Sequence, residues 1–150
     1  MQATAKGEEG TLLEFYERVR AYTEHLCEPL EIEDYIPQPI VDASPPKWNI
    51  AHTTWFFEEM ILTKFVDGYQ EFDSQFGFLF NSYYNSIGDR VARDHRSLSR
   101  PTVKRVFEYR KHVDDAMRRF VSGLPAATNG PDVSDLVTLG LNHEQQHQEL

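Results

Sequence analysis

Residues 44–66 read SPPKWNIAHTTWFFEEMILTKFV, and the fold turns on what this stretch becomes. Pro45 suits the first turn of a helix and Ser44 is placed to cap it. After Pro46 there is no glycine or proline for twenty positions. Trp48, Ile50, Ala51, Trp55, Phe56, Met60 and Ile61 make the segment apolar over most of its surface. A helix of that kind is buried rather than amphipathic. One histidine, His52, lies in its most apolar part.

Working outward, the pattern repeats with clearer faces. In EGTLLEFYERVRAYTEHLCEPL the residues Leu12, Leu13, Tyr16, Val19, Tyr22 and Leu26 recur at three- and four-residue steps, with Thr11 as the expected cap and Pro29 as the stop. The proline-rich connection that follows has no helical period. A third helix is expected from RPTVKRVFEYRKHVDDAMRRFVSGL, its inner face marked by Val103, Val106, Phe107, Val113, Met117 and Phe120. A fourth is DVSDLVTLGLNHEQQHQEL, capped by Asp132 or Ser134, with Leu136, Leu139 and Leu141 as its apolar positions. Residues 67–100 carry three glycines and many aromatics without a period. A loop of that length is usually functional or disordered; the aromatic content argues against disorder, and the loop is long enough for a crossover between helices two and three. Four helices and no convincing strand predict an all-α four-helix bundle in one domain, residues 1–150.

Composition narrows the function. The 150 residues carry a formal charge of −9, which speaks against nucleic acid as a partner. No run approaches the roughly 18 apolar residues of a membrane span. The polar start MQATAKGEEG lacks the apolar centre of a signal peptide, so a cytoplasmic location is expected. The single cysteine, Cys27, excludes an internal disulfide and reads as an inert, buried thiol.

Six histidines are present. His143 and His147 stand four apart, one turn apart on one helix face, in LNHEQQHQEL. His52, inside the apolar helix, is the natural third member. Three neutral imidazoles pointing into a bundle leave open positions on a metal, which suits zinc with a water or a non-haem iron that binds substrate and dioxygen. His25 and His112 fall on charge-rich faces, with Arg110 and Asp114 beside the latter, and are expected in solvent. His95 lies in the loop. The pattern H-E-x-x-H is also the zinc-protease signature. That chemistry would make Glu144 the base, take a third ligand from downstream and work beside a sheet edge, and the sequence offers neither. Arg90, Arg93, Arg96 and Arg100 cluster after FNSYYNSIG; their planar forks suit a carboxylate, and a solvated charge run paired with Asp89 and Asp94 is the competing reading.

Four segments in order, ASPPKWNIAHTTWFFEEMIL, FNSYYNSIGDR, LSRPTV with VFEYRKHVD, and LGLNHEQQHQEL, resemble the N-terminal, DinB-like four-helix domain of the ergothioneine-biosynthesis sulfoxide synthases of the EgtB type. The resemblance runs from about Leu12 to Leu150. It implies a non-haem iron(II) centre that uses O2 to join hercynine, a trimethylated histidine, to a cysteine-containing thiol, γ-glutamylcysteine or cysteine. By position it implies His52, His143 and His147 as metal ligands, Gln146 beside the hercynine imidazole, and Arg90 and Arg93 toward the thiol substrate's carboxylate. Tyr83, Tyr84 and Trp55 are candidate walls for the trimethylammonium group. In that family a second domain, related to the formylglycine-generating enzymes, follows the bundle and supplies a catalytic tyrosine. The 150 residues do not contain it, so the expectation is a bundle cut within its fourth helix that binds metal without efficient catalysis. The rival readings are a DinB-like, zinc- or nickel-dependent thiol transferase, a sister synthase of the ovothiol or selenoneine type, and a structural bundle whose histidines only satisfy core hydrogen bonds.

Overall fold

The computed structural model describes residues 11–82, 95–124 and 132–150. The first helix, α1, spans Leu12–Cys27; Thr11 and Glu14 form a reciprocal capping box at its start. The helix expected over 44–66 is continuous in three stretches: α2 at Pro46–Phe57, a π-helical turn at Glu58–Leu62, and the short α3 at Thr63–Phe65. Its cap is shifted by one from the expectation. Pro45 is extended, because a residue before proline is disfavoured in the α region, and the helix starts at Pro46 without a side-chain cap. Ser44 instead accepts a hydrogen bond from Arg96 Nη1 at 3.0 Å. A four-residue helix, α4 at Phe76–Leu79, lies in the stretch expected to be irregular. The long helices α5, Val103–Ser122, and α6, Val133–Glu149, are capped by Thr102 and Asp132. Among the described residues there is no strand, and no helix is long and apolar enough to cross a membrane.

The packing order differs from the chain order. α2 lies against α5 and α6, and α1 lies against the same two. The helices α1 and α2, consecutive in sequence, therefore sit across a diagonal, as do α5 and α6. A crossover between helices two and three is not where the bundle departs from simple order, since α2 and α5 are neighbours. Every residue from Ile50 to Phe57 is buried, which is why this helix shows no polar face. Gly140 on α6 makes the α2–α6 approach possible: a Cβ there would lie 2.7 Å from the Phe57 ring and 2.8 Å from Phe56.

Three expectations about faces are corrected. Tyr22 and Leu26 are 50% and 40% exposed although they continue the apolar repeat of α1, and the inward position between them and Val19 is taken by Arg20. Leu139 is 55% exposed; the buried stripe of α6 is Val137, Gly140, Leu141 and Glu144. Arg110 and Asp114, expected in solvent, are buried on α5. His112 is half-buried against the rings of Tyr69 and Phe72 and donates to the Gln70 carbonyl at 2.9 Å. Arg20, Arg110, Asp114 and Glu144 are buried for one shared physical cause. Arg20 Nε contacts Asp114 Oδ1 at 2.7 Å, and Arg20 Nη1 and Arg110 Nη2 meet the Glu144 carboxylate at 2.8 and 3.0 Å. Charges that pair inside the bundle can occupy positions that a hydrophobicity pattern assigns to solvent. His25 and His95 are exposed, as expected for His25.

Candidate metal centre

His52 is placed by the most buried helix, and the sequence around it builds its surroundings. Trp48 lies one turn before it and stacks on the imidazole with ring centroids 4.5 Å apart and planes 14° apart; Trp55 lies on it at 5.5 Å and 15°. The two indole N–H groups donate to the carbonyls of Leu79 and Gly77 at 3.2 Å each. His52 Nδ1 donates to the Phe80 carbonyl at 2.7 Å. The last turn of α4 is thus anchored by three side chains of α2, and in return it orients the imidazole.

α6 brings the other two histidines to the same point. The ring centroids of His52 and His143 are 4.9 Å apart, of His52 and His147 5.0 Å, and of His143 and His147 4.7 Å. One ring nitrogen from each of the three can be chosen so that all lie within 4.8 Å of one another. His147 Nδ1 donates to Asn49 Oδ1 at 2.8 Å. With Nδ1 protonated on both His52 and His147, their Nε2 atoms carry bare lone pairs. His52 Nε2 lies 3.2 Å from His143 Nε2. Two nitrogens held by one ion at about 2.1 Å lie roughly 3.0–3.4 Å apart at octahedral or tetrahedral angles, so the spacing fits a shared ion. His143 Nδ1 is buried without a hydrogen-bond partner.

The electrostatics keep the imidazoles neutral, the form that ligates. Burial pushes the His52 pKa well below its ordinary value, with the neighbouring His143 adding to the effect. Burial also lowers His143, and it brings His147 to about 4. Arg96 holds its guanidinium 3.7 Å over the Trp48 ring and adds positive charge near His52 and His147. It is the member of the loop's arginine cluster that the described residues place at the centre. Arg90 and Arg93, like Tyr83 and Tyr84, lie outside the described residues. Gln146 is exposed on α6. Trp55 is fully buried, and its face is turned to His52, so it offers no free wall to a cationic group.

Glu144, the base of the protease reading, has no exposed surface. Burial alone would raise its carboxyl, but the Arg20 and Arg110 guanidiniums outweigh that and hold it at about 2. A carboxylate with both oxygens locked to Arg20, Thr23 and Arg110 does not fit the part of a general base. Asn49 and Trp48 were not singled out from the sequence for this site. Both were legible in WNIAH, which sets Trp48, Asn49 and His52 at positions i, i+1 and i+4 of one helix.

The profile of the DinB superfamily matches residues 16–150. The chain belongs to the DinB superfamily. A search of curated proteins finds no match. Within this DinB-like bundle the three-histidine cluster is a site that could hold a metal ion, with the ligands drawn from the neighbouring helices α2 and α6.

Proposed function

We propose that this chain carries the metal centre of a non-haem iron(II), dioxygen-dependent sulfoxide synthase that joins hercynine to a cysteine-containing thiol. The observation that carries the reading is the meeting of His52, His143 and His147, two of them with the outer nitrogen tied down. Facial three-ligand sites with open positions suit iron(II) that must take both substrate and O2. The synthase-like motifs around these ligands, SPPKWNIAHTTWFF and HEQQHQEL, favour this chemistry over other DinB-like reactions. Iron(II) would supply O2 activation and a coordination position for the thiolate.

The chain's own residues take the remaining parts. His52, His143 and His147 hold the ion. The Phe80 carbonyl and Asn49 keep two of them in the tautomer that presents Nε2. Trp48 and Trp55 both stack on the buried His52 ring and hold its plane. Gln146 contacts hercynine, and Arg90 and Arg93 bind the carboxylate of γ-glutamylcysteine or cysteine. A zinc-dependent thiol transferase on the same bundle is the second reading, because three imidazoles suit zinc equally.

The test uses Co(II) as a spectroscopic stand-in, loaded anaerobically. The synthase reading expects the visible Co(II) bands to change on adding γ-glutamylcysteine or cysteine, and to change again with hercynine. Bands that respond to the thiol and ignore hercynine would favour the transferase. Bands that respond to neither would contradict both.

A further inference from the structure

Glu144 stands between the two histidines of α6, yet its carboxylate turns onto an adjoining face of the helix, toward α1 and α5. At about 100° per residue its side chain lies roughly 100° from His143 and 60° from His147 around the helix. Both of its oxygens are held. Oε1 accepts from Arg20 Nη1 at 2.8 Å; Oε2 accepts from Thr23 Oγ1 at 2.5 Å and from Arg110 Nη2 at 3.0 Å. The two guanidiniums are fixed in turn. Arg20 donates to Asp114 at 2.7 Å and to Thr54 of α2 at 2.9 Å, and Arg110 donates to the Arg20 carbonyl at 2.8 Å. Through Arg20, Thr54 and Glu144, the helix that bears His52 and the helix that bears His143 and His147 are tied to one rigid pair of cations.

A buried ionic network of this kind is a poor source of stability, because desolvation offsets its attraction. It is a good source of directional constraint. Hydrogen bonds are directional, so a carboxylate bound on both oxygens adds a constraint on the roll of its helix to that of the apolar packing. A metal site needs its ligands held within about 0.5 Å and 10–20° of the working geometry. We propose that Glu144 is a positioning residue for the metal centre: clamped by Arg20 and Arg110, it sets the rotation of α6 that turns His143 and His147 toward His52. This rests on the three-histidine metal reading and adds to it the reason α6 presents that face.

The experiment is a Co(II) titration of the full chain, well below its melting temperature, followed by the visible spectrum of the bound ion. The variants are Glu144→Gln, Thr23→Val and Val137→Ala. Val137 is buried on the same helix and outside the network, so its variant loosens α6 without releasing the clamp. Positioning predicts that Glu144→Gln weakens Co(II) on the order of 10-fold, as loss of outer support for metal ligands does, with altered bands. Thr23→Val should weaken it less, in the same sense, and it decides the matter should Glu144→Gln fail to fold. Val137→Ala should lower the melting temperature with affinity and bands unchanged. Equal affinity and bands in wild type, Glu144→Gln and Thr23→Val would overturn the positioning role alone. So would a loss in Val137→Ala that matches its loss of stability as closely as in the clamp variants. A wild type that takes up no Co(II) would defeat the metal reading and this proposal with it.

Discussion

At the scale of the residue, the centre depends on which nitrogen each imidazole presents. His147 shows Nε2 because Asn49 receives the proton on Nδ1. Replacing Asn49 by leucine removes that acceptor while keeping a side chain of similar size. Metal affinity should fall about 10–100-fold, the usual effect of losing an outer partner, and the melting temperature of the metal-free protein should also drop, because Asn49 Nδ2 donates to the Ser44 and Pro45 carbonyls at 3.0 and 3.3 Å. Isothermal titration with Co(II) checks it. The tryptophans give a second residue-scale prediction. The chain has two, and both stack on His52. Co(II) or Fe(II) bound to His52 should therefore quench most of the intrinsic tryptophan fluorescence, and a chelator should restore it. Much of this site was readable beforehand. The i, i+4 histidines and the lone histidine in an apolar helix pointed at each other. The Phe80 carbonyl was not readable, because a backbone acceptor leaves no trace in side-chain pattern.

At the scale of the element, two features of α2 and α6 carry consequences. Gly140 lets the Phe56 and Phe57 rings press onto α6 one turn before His143. Gly140→Ala should destabilise by about 1–3 kcal/mol, the usual cost of overpacking, despite alanine's better helix propensity; urea unfolding measures it. The π-helical turn carries Glu58 into the core, where it accepts from Tyr69 at 2.5 Å, the Phe72 N–H at 3.1 Å and Tyr109 at 3.2 Å. Burial raises the Glu58 carboxyl above its ordinary 4.5 despite those hydrogen bonds. A raised carboxyl means that the folded state holds the proton more tightly than the unfolded chain. Ionisation of Glu58 therefore costs stability at neutral pH, and that cost is removed as the pH falls through the folded value to about 4.5. The stability of wild type relative to Glu58→Gln should rise across that window and level off below it, as read from urea melts at each pH. The helices themselves were legible from their caps and periods. The π turn was not, since EEMIL carries no glycine or proline to mark it, and the α1 and α6 faces were misjudged where Arg20 and Glu144 replaced apolar residues in the interior.

At the scale of the whole molecule, the bundle core holds a charged seam beside a nitrogen-lined histidine site. The seam consists of Arg20, Asp114, Arg110 and Glu144; the site consists of His52, His143 and His147. Pattern reasoning sorts residues into inside and outside, so it located the site from histidines in apolar context and missed the seam, whose members pair only across helices distant in sequence. Metal should stabilise the whole fold by linkage, because the unfolded chain cannot gather ligands 91 residues apart in sequence. At a free metal concentration about 100 times Kd the gain is about 2.7 kcal/mol, on the order of 5–10 °C in Tm for a chain of this size, and it should vanish with a chelator. The central claim is that one divalent ion sits between α2 and α6 on three histidines. The most direct test is metal content after anaerobic Fe(II) loading and desalting, for wild type and His52→Ala side by side. The account predicts close to one iron per chain in the wild type and almost none in the variant. Equal iron in both would contradict it.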